Sequence, residues 1–141
     1  MILQVVRLIR ICSGKYWGTE NLYMDWGLLI GVLSPALIVI LAGLIWQQFP
    51  PKKINHLYGY RTQRSMKNQQ TWDYANRIGP VMFIKTGGYL LLIGVLAYWL
   101  CEPSEAILIS GVTMVVGLIA GVIACERKLE KRFNAEGNPK G

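Results

Sequence analysis

The sequence predicts an all-α integral membrane protein with three transmembrane helices and a short interfacial helix in the linker after the first of them. Two observations predict this class. Of the 141 residues, 52% are hydrophobic and 16% are charged, which is more apolar than a soluble domain of this size needs. The apolar residues are also segregated into three blocks of roughly 20 residues, the length at which an α-helix crosses the hydrocarbon core of a bilayer.

The three blocks run from about 26 to 46, from about 80 to 100 and from about 106 to 125. Lys85 is the one full charge inside them. A soluble three-helix bundle would carry polar residues at helical spacing on its outer faces, but the run from 91 to 96 is continuously apolar. The blocks are therefore predicted to face lipid.

The first predicted span contains Pro35, whose missing N–H leaves one backbone carbonyl of the helix without its usual donor. We expect Ser34 or a neighbouring helix to satisfy that carbonyl. Small residues four apart form one pair in the first span, at 27 and 31, and another in the third, at 117 and 121. Such pairs let helices approach closely in lipid, and packing within the chain is their expected use.

The linker between the first two spans, residues 50 to 79, is basic, aromatic and rich in amides. Its two leading prolines should end the first helix, and Tyr-Gly-Tyr at 58 to 60 indicates a tight turn. Residues 66 to 77 contain neither glycine nor proline and are predicted to form a short helix, with Ser65 as its N-cap. Pro80 would then open the second span.

One face of the predicted short helix is formed by residues at steps of three and four, namely Asn68, Trp72, Ala75, Asn76 and Gly79. Two interpretations stay open for it. The helix could be a plain interfacial anchor, with its tryptophan at the depth of the lipid head groups. The number of amide and guanidinium groups favours a surface for specific recognition.

Basic residues are distributed unequally around the spans. The linker carries Lys52, Lys53, Arg61, Arg64, Lys67 and Arg77, and the C-terminal tail carries Arg127, Lys128, Lys131, Arg132 and Lys140. The connection near Glu102 and Glu105 carries none. The positive-inside rule places the linker and the C-terminus in the cytoplasm and the N-terminus outside. The net charge of +7 then indicates the lipid bilayer, and no direct nucleic-acid contact, as the partner of these cations.

The two ends of the chain, the cysteines and the histidine give little information about function. Residues 1 to 24 are an N-terminal extension to which no function is assigned, and Met24 is a candidate for the true start. Residues 25 to 137 form the membrane domain, and residues 138 to 141 are expected to be a flexible tail. Three cysteines without paired spacing and one histidine predict no disulfide framework, no metal site and no cofactor.

One motif in the linker is long enough to be specific. It consists of Pro50-Pro51, Ile54-Asn55, Tyr58 to Thr62, Ser65 to Asn68, Trp72 and Ala75-Asn76, followed after the last span by Glu126, Leu129 and Phe133. This order resembles the signature of the SdpI family of bacterial membrane proteins, over residues 25 to about 137. The resemblance implies a multi-pass protein of the bacterial inner membrane that acts in resistance to, or sensing of, membrane-active peptides or toxins. A peptide toxin outside and a cytoplasmic regulator inside are the partners that it implies.

The function expected from this resemblance is non-enzymatic, with a ligand or partner recognised by the linker. Arg61 is its central residue, since a guanidinium holds carboxylates, phosphates or carbonyls in fixed geometry. We expect an ordered linker in which Arg61 is paired to an acidic or carbonyl acceptor and aromatic rings stack around it. In the alternative, Arg61 ties the linker to the tail through Glu126 or Glu130. The candidate binding residues are Asn55, Tyr58, Gly59, Tyr60, Arg61, Thr62, Ser65, Asn68, Trp72, Asn76, Lys85 and Glu126.

A second hypothesis is a small oligomeric transporter or a membrane-bound enzyme that uses Lys85 and Arg61. Ionisable residues inside a membrane are costly and often functional. Lys85 lies near the predicted cytoplasmic end of its span, however, where a lysine can extend its charge to the head groups. The sequence leaves the oligomeric state open.

The predicted orientation can be tested by cysteine labelling in intact cells. Single cysteines at positions 64 and 131, in a variant without the native cysteines, should resist a membrane-impermeant reagent until the cells are opened. A cysteine at Ser104, in the predicted outer connection, should react from outside and serves as the control. Labelling of either cytoplasmic position from outside would contradict this topology.

Overall fold

The structure, a computed structural model, describes residues 25–140. These residues form three helices, α1 at Trp26–Gln48, α2 at Gln69–Leu100 and α3 at Pro103–Arg132. Each helix is long and apolar enough to cross a membrane, which confirms the three predicted spans. The predicted N-terminal extension and Met24 lie outside the described residues.

The first helix begins as its sequence requires. The Asp25 carboxylate accepts a bond of 3.0 Å from the N–H of Leu28, which caps the helix. Further along, Pro35 cannot donate to the carbonyl of Gly31, and the hydroxyl of Ser34 donates to that carbonyl instead at 3.1 Å. The expected compensation by Ser34 is therefore confirmed.

The start of α2 corrects the prediction for the linker. Asn68, and not Ser65, is the N-cap, and its side chain accepts a bond of 2.9 Å from the N–H of Thr71. The Thr71 hydroxyl in turn accepts a bond of 3.2 Å from the N–H of Asn68, which completes a capping box. The helix therefore begins at Gln69, because two backbone donors of its first turn are satisfied there.

The predicted separate helix over 66–77 is wrong for a second reason. The helix that begins at Gln69 continues through Pro80 to Leu100 without a break. Proline removes one backbone bond from a helix, and a helix that packs on neighbours can stay continuous across that loss. Pro80 is fully buried among those neighbours. Residues 69–79 of the linker and the second span therefore share one helix of 32 residues.

The third helix begins with Pro103 in its first turn, where the missing N–H of proline does no harm. Lys131 and Arg132 occupy its last turn, where their positive charges interact favourably with the negative end of the helix dipole. After the helix, the Lys140 N–H donates to the carbonyl of Arg132 at 2.9 Å. Residues 138–140, expected to be a flexible tail, thus lie folded back against the end of α3.

The three helices pack through small clusters of buried side chains. At the end near the α2–α3 connection, Val32, Ala97 and Ala106 are buried together. At the opposite end, the cluster contains Trp46, Tyr60, Ala75, Cys125, Leu129 and Phe133. Large apolar side chains such as those of Ile38 and Leu92 are exposed on the outer faces. Such faces suit a bundle surrounded by lipid.

The two predicted glycine pairs have different outcomes. In α3, a Cβ on Gly117 would lie 3.0 Å from the Thr86 side chain, and one on Gly121 would meet Met82. This pair therefore packs against α2, as expected. Within residues 25–140, the pair in α1 contacts neither α2 nor α3, because a Cβ on Gly31 would meet nothing within 4 Å and one on Gly27 would meet only Asp25. It lies on a different face of α1 from the buried residues Val32, Ala36, Val39, Gly43 and Trp46.

The close contact between α1 and α2 predicts a contrast between two adjacent glycines. A Cβ on Gly87 would lie 3.0 Å from the Ile40 nitrogen and 3.1 Å from the Ala36 carbonyl oxygen, whereas one on Gly88 meets nothing within 4 Å. Gly87→Ala should lower the free energy of unfolding by about 1–3 kcal/mol through overpacking. Gly88→Ala should leave it unchanged or raise it by up to about 1 kcal/mol. Reversible unfolding in mixed micelles measures both, and equal effects would contradict this packing.

Candidate functional site

Residues 50–68 fold into an ordered cap on one end of the bundle, which we call the linker clasp. The Trp72 indole N–H donates to the carbonyl of Pro51 at 3.0 Å, and the Gln69 amide donates to the carbonyl of Lys52 at 2.8 Å. The Tyr58 hydroxyl donates to the carbonyl of Phe49 at 2.8 Å. The chain that leaves α1 is therefore held along the first turn of α2.

Gly59 and Asn76 form the closest contact between the clasp and α2. Gly59 has a φ of +112°, which favours glycine, and a Cβ there would lie 2.5 Å from Oδ1 of Asn76. Oδ1 of Asn76 accepts the N–H of the next residue, Tyr60, at 2.8 Å. The Asn76 side-chain N–H donates to the carbonyl of Trp72 at 3.0 Å. The buried amide of Asn76 thus joins the turn to the helix, and the turn needs a residue without a side chain.

The ring of Tyr60 carries the connection from the clasp to α3. It is buried, and its hydroxyl lies 3.0 Å from a carboxylate oxygen of Glu126 and 3.2 Å from the carbonyl of Val122. Burial of the ring, and then the charge of Glu126 and the bond to it, raise the pKa of Tyr60 well above its ordinary value. The hydroxyl therefore remains protonated and can donate throughout the physiological range.

Ser65 is the centre of a second turn within the clasp. Its hydroxyl donates to the carbonyl of Tyr60 at 2.8 Å and accepts the N–H of Thr62 at 2.8 Å. The Thr71 hydroxyl donates to the carbonyl of Ser65 at 3.1 Å. Ser65 and Thr71 are both buried. The serine predicted as an N-cap thus organises the loop before the helix.

One of the two contacts considered for Arg61 is made by Arg64. Arg64, not Arg61, ties the linker to α3, since its guanidinium lies 3.7 Å from Glu126 and 3.6 Å from Glu130. Arg61 is exposed and donates to the carbonyl of His56. The expected carbonyl acceptor for Arg61 is confirmed, while the alternative tie through Arg61 to these carboxylates is wrong. The charges of the Arg64 pairs are partly exposed, so each pair contributes at most about 1 kcal/mol.

The chain after α3 also packs against the clasp. The Asn68 amide donates to the carbonyl of Gly137 at 2.8 Å, and Lys67 donates to the carbonyl of Ala135. Gly137 has a φ of +89°, and a Cβ on it would lie 2.7 Å from the Asn68 amide nitrogen. The C-terminal segment is thereby held beside the N-cap of α2.

The predicted candidate residues therefore divide into three groups. Tyr58, Gly59, Tyr60, Thr62, Ser65, Asn68, Trp72, Asn76 and Glu126 make the contacts of the clasp described above. Asn55 and Arg61 bond only within their own loop, Asn55 by accepting the N–H of Leu57 at 3.0 Å and Arg61 by donating to the carbonyl of His56. Lys85 lies apart on α2, in a groove beside α3. Within residues 25–140, no three side chains of the types that bind metals gather in one place.

Sequence reasoning missed several residues that the clasp needs. Thr71 follows Asn68 by three residues, which is the capping-box spacing and could have located the helix start. The link of Arg64 to α3 was missed as well, although Glu126 and Glu130 are four residues apart and share a helix face, so that one arginine can reach both. Trp46 carries no such signal. It fits against Gly79, where a Cβ would lie 2.5 Å from its ring.

The exposed part of the clasp is a loop that we call the linker tip, consisting of residues 54–58 and Arg61. Leu57 is 92% exposed, and Ile54 and Tyr58 are also exposed. Lys52 and Lys53 precede the tip and are exposed as well. The tip therefore presents apolar side chains beside positive charge on a loop held by the buried contacts beneath it.

Comparison with known proteins adds two findings. The model of the SdpI/YfhL protein family matches residues 52–125, which include most of the clasp, all of α2 and most of α3. The chain is also 30% identical over 100 residues to the protein YfhL of Bacillus subtilis (strain 168), covering 71% of this chain and 86% of that protein. No solved structure matches the chain.

The contact between Asn76 and Tyr60 predicts how the clasp can be opened. Asn76→Ala leaves the buried N–H of Tyr60 without its acceptor and should lower the free energy of unfolding by about 1–3 kcal/mol. Amide hydrogen exchange at residues 59–62 should accelerate in the same variant. Gln70→Ala, on an exposed position of the same helix, should change stability by less than about 0.5 kcal/mol. Unchanged exchange in Asn76→Ala would show that the clasp does not depend on this amide.

Proposed function

The chain belongs to the SdpI/YfhL protein family, and we propose that it is a non-enzymatic protein of the bacterial inner membrane that resists or senses membrane-active peptides. In this proposal the linker tip recognises a cytoplasmic partner. An outer peptide, or the disturbance that it causes in the bilayer, acts on the packing of the three helices.

The exposure of the linker tip is the observation that supports this proposal most. The polar groups of the motif beneath it are satisfied by one another, so they hold the loop and are not free to bind a ligand. The side chains of Leu57 and Arg61, by contrast, are exposed to solvent. A large apolar side chain beside a guanidinium, on an ordered loop, suits a partner with an acidic surface and a small apolar pocket.

The connections of the clasp supply a route between the membrane and the tip. The clasp contacts the end of α1 through Phe49, α2 through Asn76 and α3 through Glu126. A change in the relative positions of these helices would alter at least one of the three contacts. Packed elements shift between discrete arrangements more readily than they deform, so such a change can reposition the tip.

Survival of cells exposed to a membrane-active peptide tests the proposed function. A strain without the gene should be sensitised, and the native gene should restore survival. Arg61→Ala should lose most of the protection, and Arg61→Lys nearly as much, since lysine keeps the charge but lacks the planar fork. Gln63→Ala, an exposed neighbour in the same linker, is the matched control and should protect fully.

Leu57→Trp separates partner recognition from simple anchoring at the membrane. Tryptophan prefers the lipid interface, so an anchor would be preserved or strengthened by this change. A pocket shaped for leucine would be blocked, and protection should fall. Protection at the native level in both Leu57→Trp and Arg61→Lys, with equal expression, would reject recognition by the tip and favour the anchor.

A further inference from the structure

A groove lies between α2 and α3. Its volume is about 600 Å³, within the range of ligand sites in proteins, roughly 300–1,000 Å³. Its walls are mainly apolar and include Val81, Tyr89, Ile93 and Val116 from the two predicted spans. The groove is open on the outer side of the bundle, the side that would face lipid in a membrane.

Three cations line the same groove, namely Arg77, Lys85 and Lys128. No aspartate or glutamate occurs among the described residues of its lining. Glu126, the nearby carboxylate of α3, is instead directed to Tyr60 and Arg64 in the clasp. The groove therefore combines an apolar wall with a positive charge that it does not itself neutralise.

The register of the two helices places these charges toward one end. Gly121 faces Met82 and Gly117 faces Thr86, so the helices are antiparallel and Lys128 lies near the level of Arg77. Lys85 is eight residues further along α2, about 12 Å deeper at 1.5 Å per residue. A lysine at that depth directs its ammonium group along its flexible stem toward the polar end.

We propose that this groove binds an anionic glycerophospholipid of the surrounding bilayer. The phosphate and the negative head group are held by Arg77, Lys85 and Lys128, and an acyl chain lies along the apolar wall. This assignment uses the charge and the apolar surface together, and it gives Lys85 a ligand role outside the clasp. It does not depend on the function proposed for the linker tip.

Two other occupants, a second copy of the chain and a free phosphate ion, fit the groove less well. A second copy packed groove to groove about a two-fold axis would bring two sets of cations together without a counter-charge. A free phosphate ion would satisfy the cations but leave the apolar wall exposed. A phospholipid satisfies both, because its charge and its chain are joined in one molecule and matched in orientation to the bilayer.

Native mass spectrometry of the purified full chain tests the proposal, with phosphatidylglycerol and phosphatidylcholine supplied in equal amounts. The first bound lipid should be phosphatidylglycerol. Lys85→Gln should reduce the ratio of bound phosphatidylglycerol to bound phosphatidylcholine about fivefold, the contribution of one basic residue near an anionic head group. Lys85→Arg should keep the ratio. Lys140→Gln, which lowers the net charge of +7 by the same unit outside the groove lining, should also keep it.

A charge-neutral change probes the acyl chain. Ala120 is exposed and lines the groove, so Ala120→Trp fills it without altering any charge, and it should reduce the first bound phosphatidylglycerol. Inorganic phosphate at ten times the lipid concentration should not displace the lipid. Three results would each overturn the proposal. They are equal losses of the lipid ratio in Lys85→Gln and Lys140→Gln, displacement of the lipid by inorganic phosphate, and detection of dimers, disrupted by Ala120→Trp, in place of lipid-bound monomers.

Discussion

The side-chain amide of Asn76 is the contact on which the organisation of this protein depends. It accepts the backbone N–H of Tyr60 and donates to the backbone of α2, and it does so while buried. A buried backbone donor without an acceptor is costly, so the turn at Gly59 is held where this amide can reach it. Tyr60 is thereby directed at α3, and Ser65 is placed to close the next turn. Each turn of the clasp thus depends on the one before it, and the first depends on one residue of α2.

These contacts of the clasp require α2 to be a single long helix. Asn68, Trp72, Asn76 and Gly79 lie on the buried side of the segment that precedes the predicted second span. This segment continues directly into the predicted span, so no loop separates the clasp contacts of α2 from that span. The family motif is thus mostly a device for holding a loop rigidly on the helices. In the proposed function, the few exposed residues at the linker tip are the ones that contact the partner.

The two proposed sites use the charges of the protein in different ways. At the linker tip, Arg61 is exposed on a loop outside the predicted spans. In the groove, Lys85 and its neighbours adjoin an apolar wall, where a charge is worth more because water is scarce. In the two proposals, one part of the positive charge serves a soluble partner and another part serves a lipid. Net charge alone could not have distinguished the two uses.

The sequence by itself determined the class, the spans and the family of this protein. Apolar blocks of this length cross a bilayer as helices, because a helix pairs all of its own backbone N–H and C=O groups in lipid. The linker motif is specific in its order. Both signals are local and strong. The shared face of Trp72, Ala75 and Asn76 was also readable from helical spacing. Tertiary structure decided what happens between distant segments. It made α2 continuous through Pro80, gave Arg64 the carboxylates that the alternative hypothesis had assigned to Arg61, and placed Lys85 in a groove. These outcomes depend on which side chains meet across helices, and residue spacing along one segment carries no information about the segment that will face it.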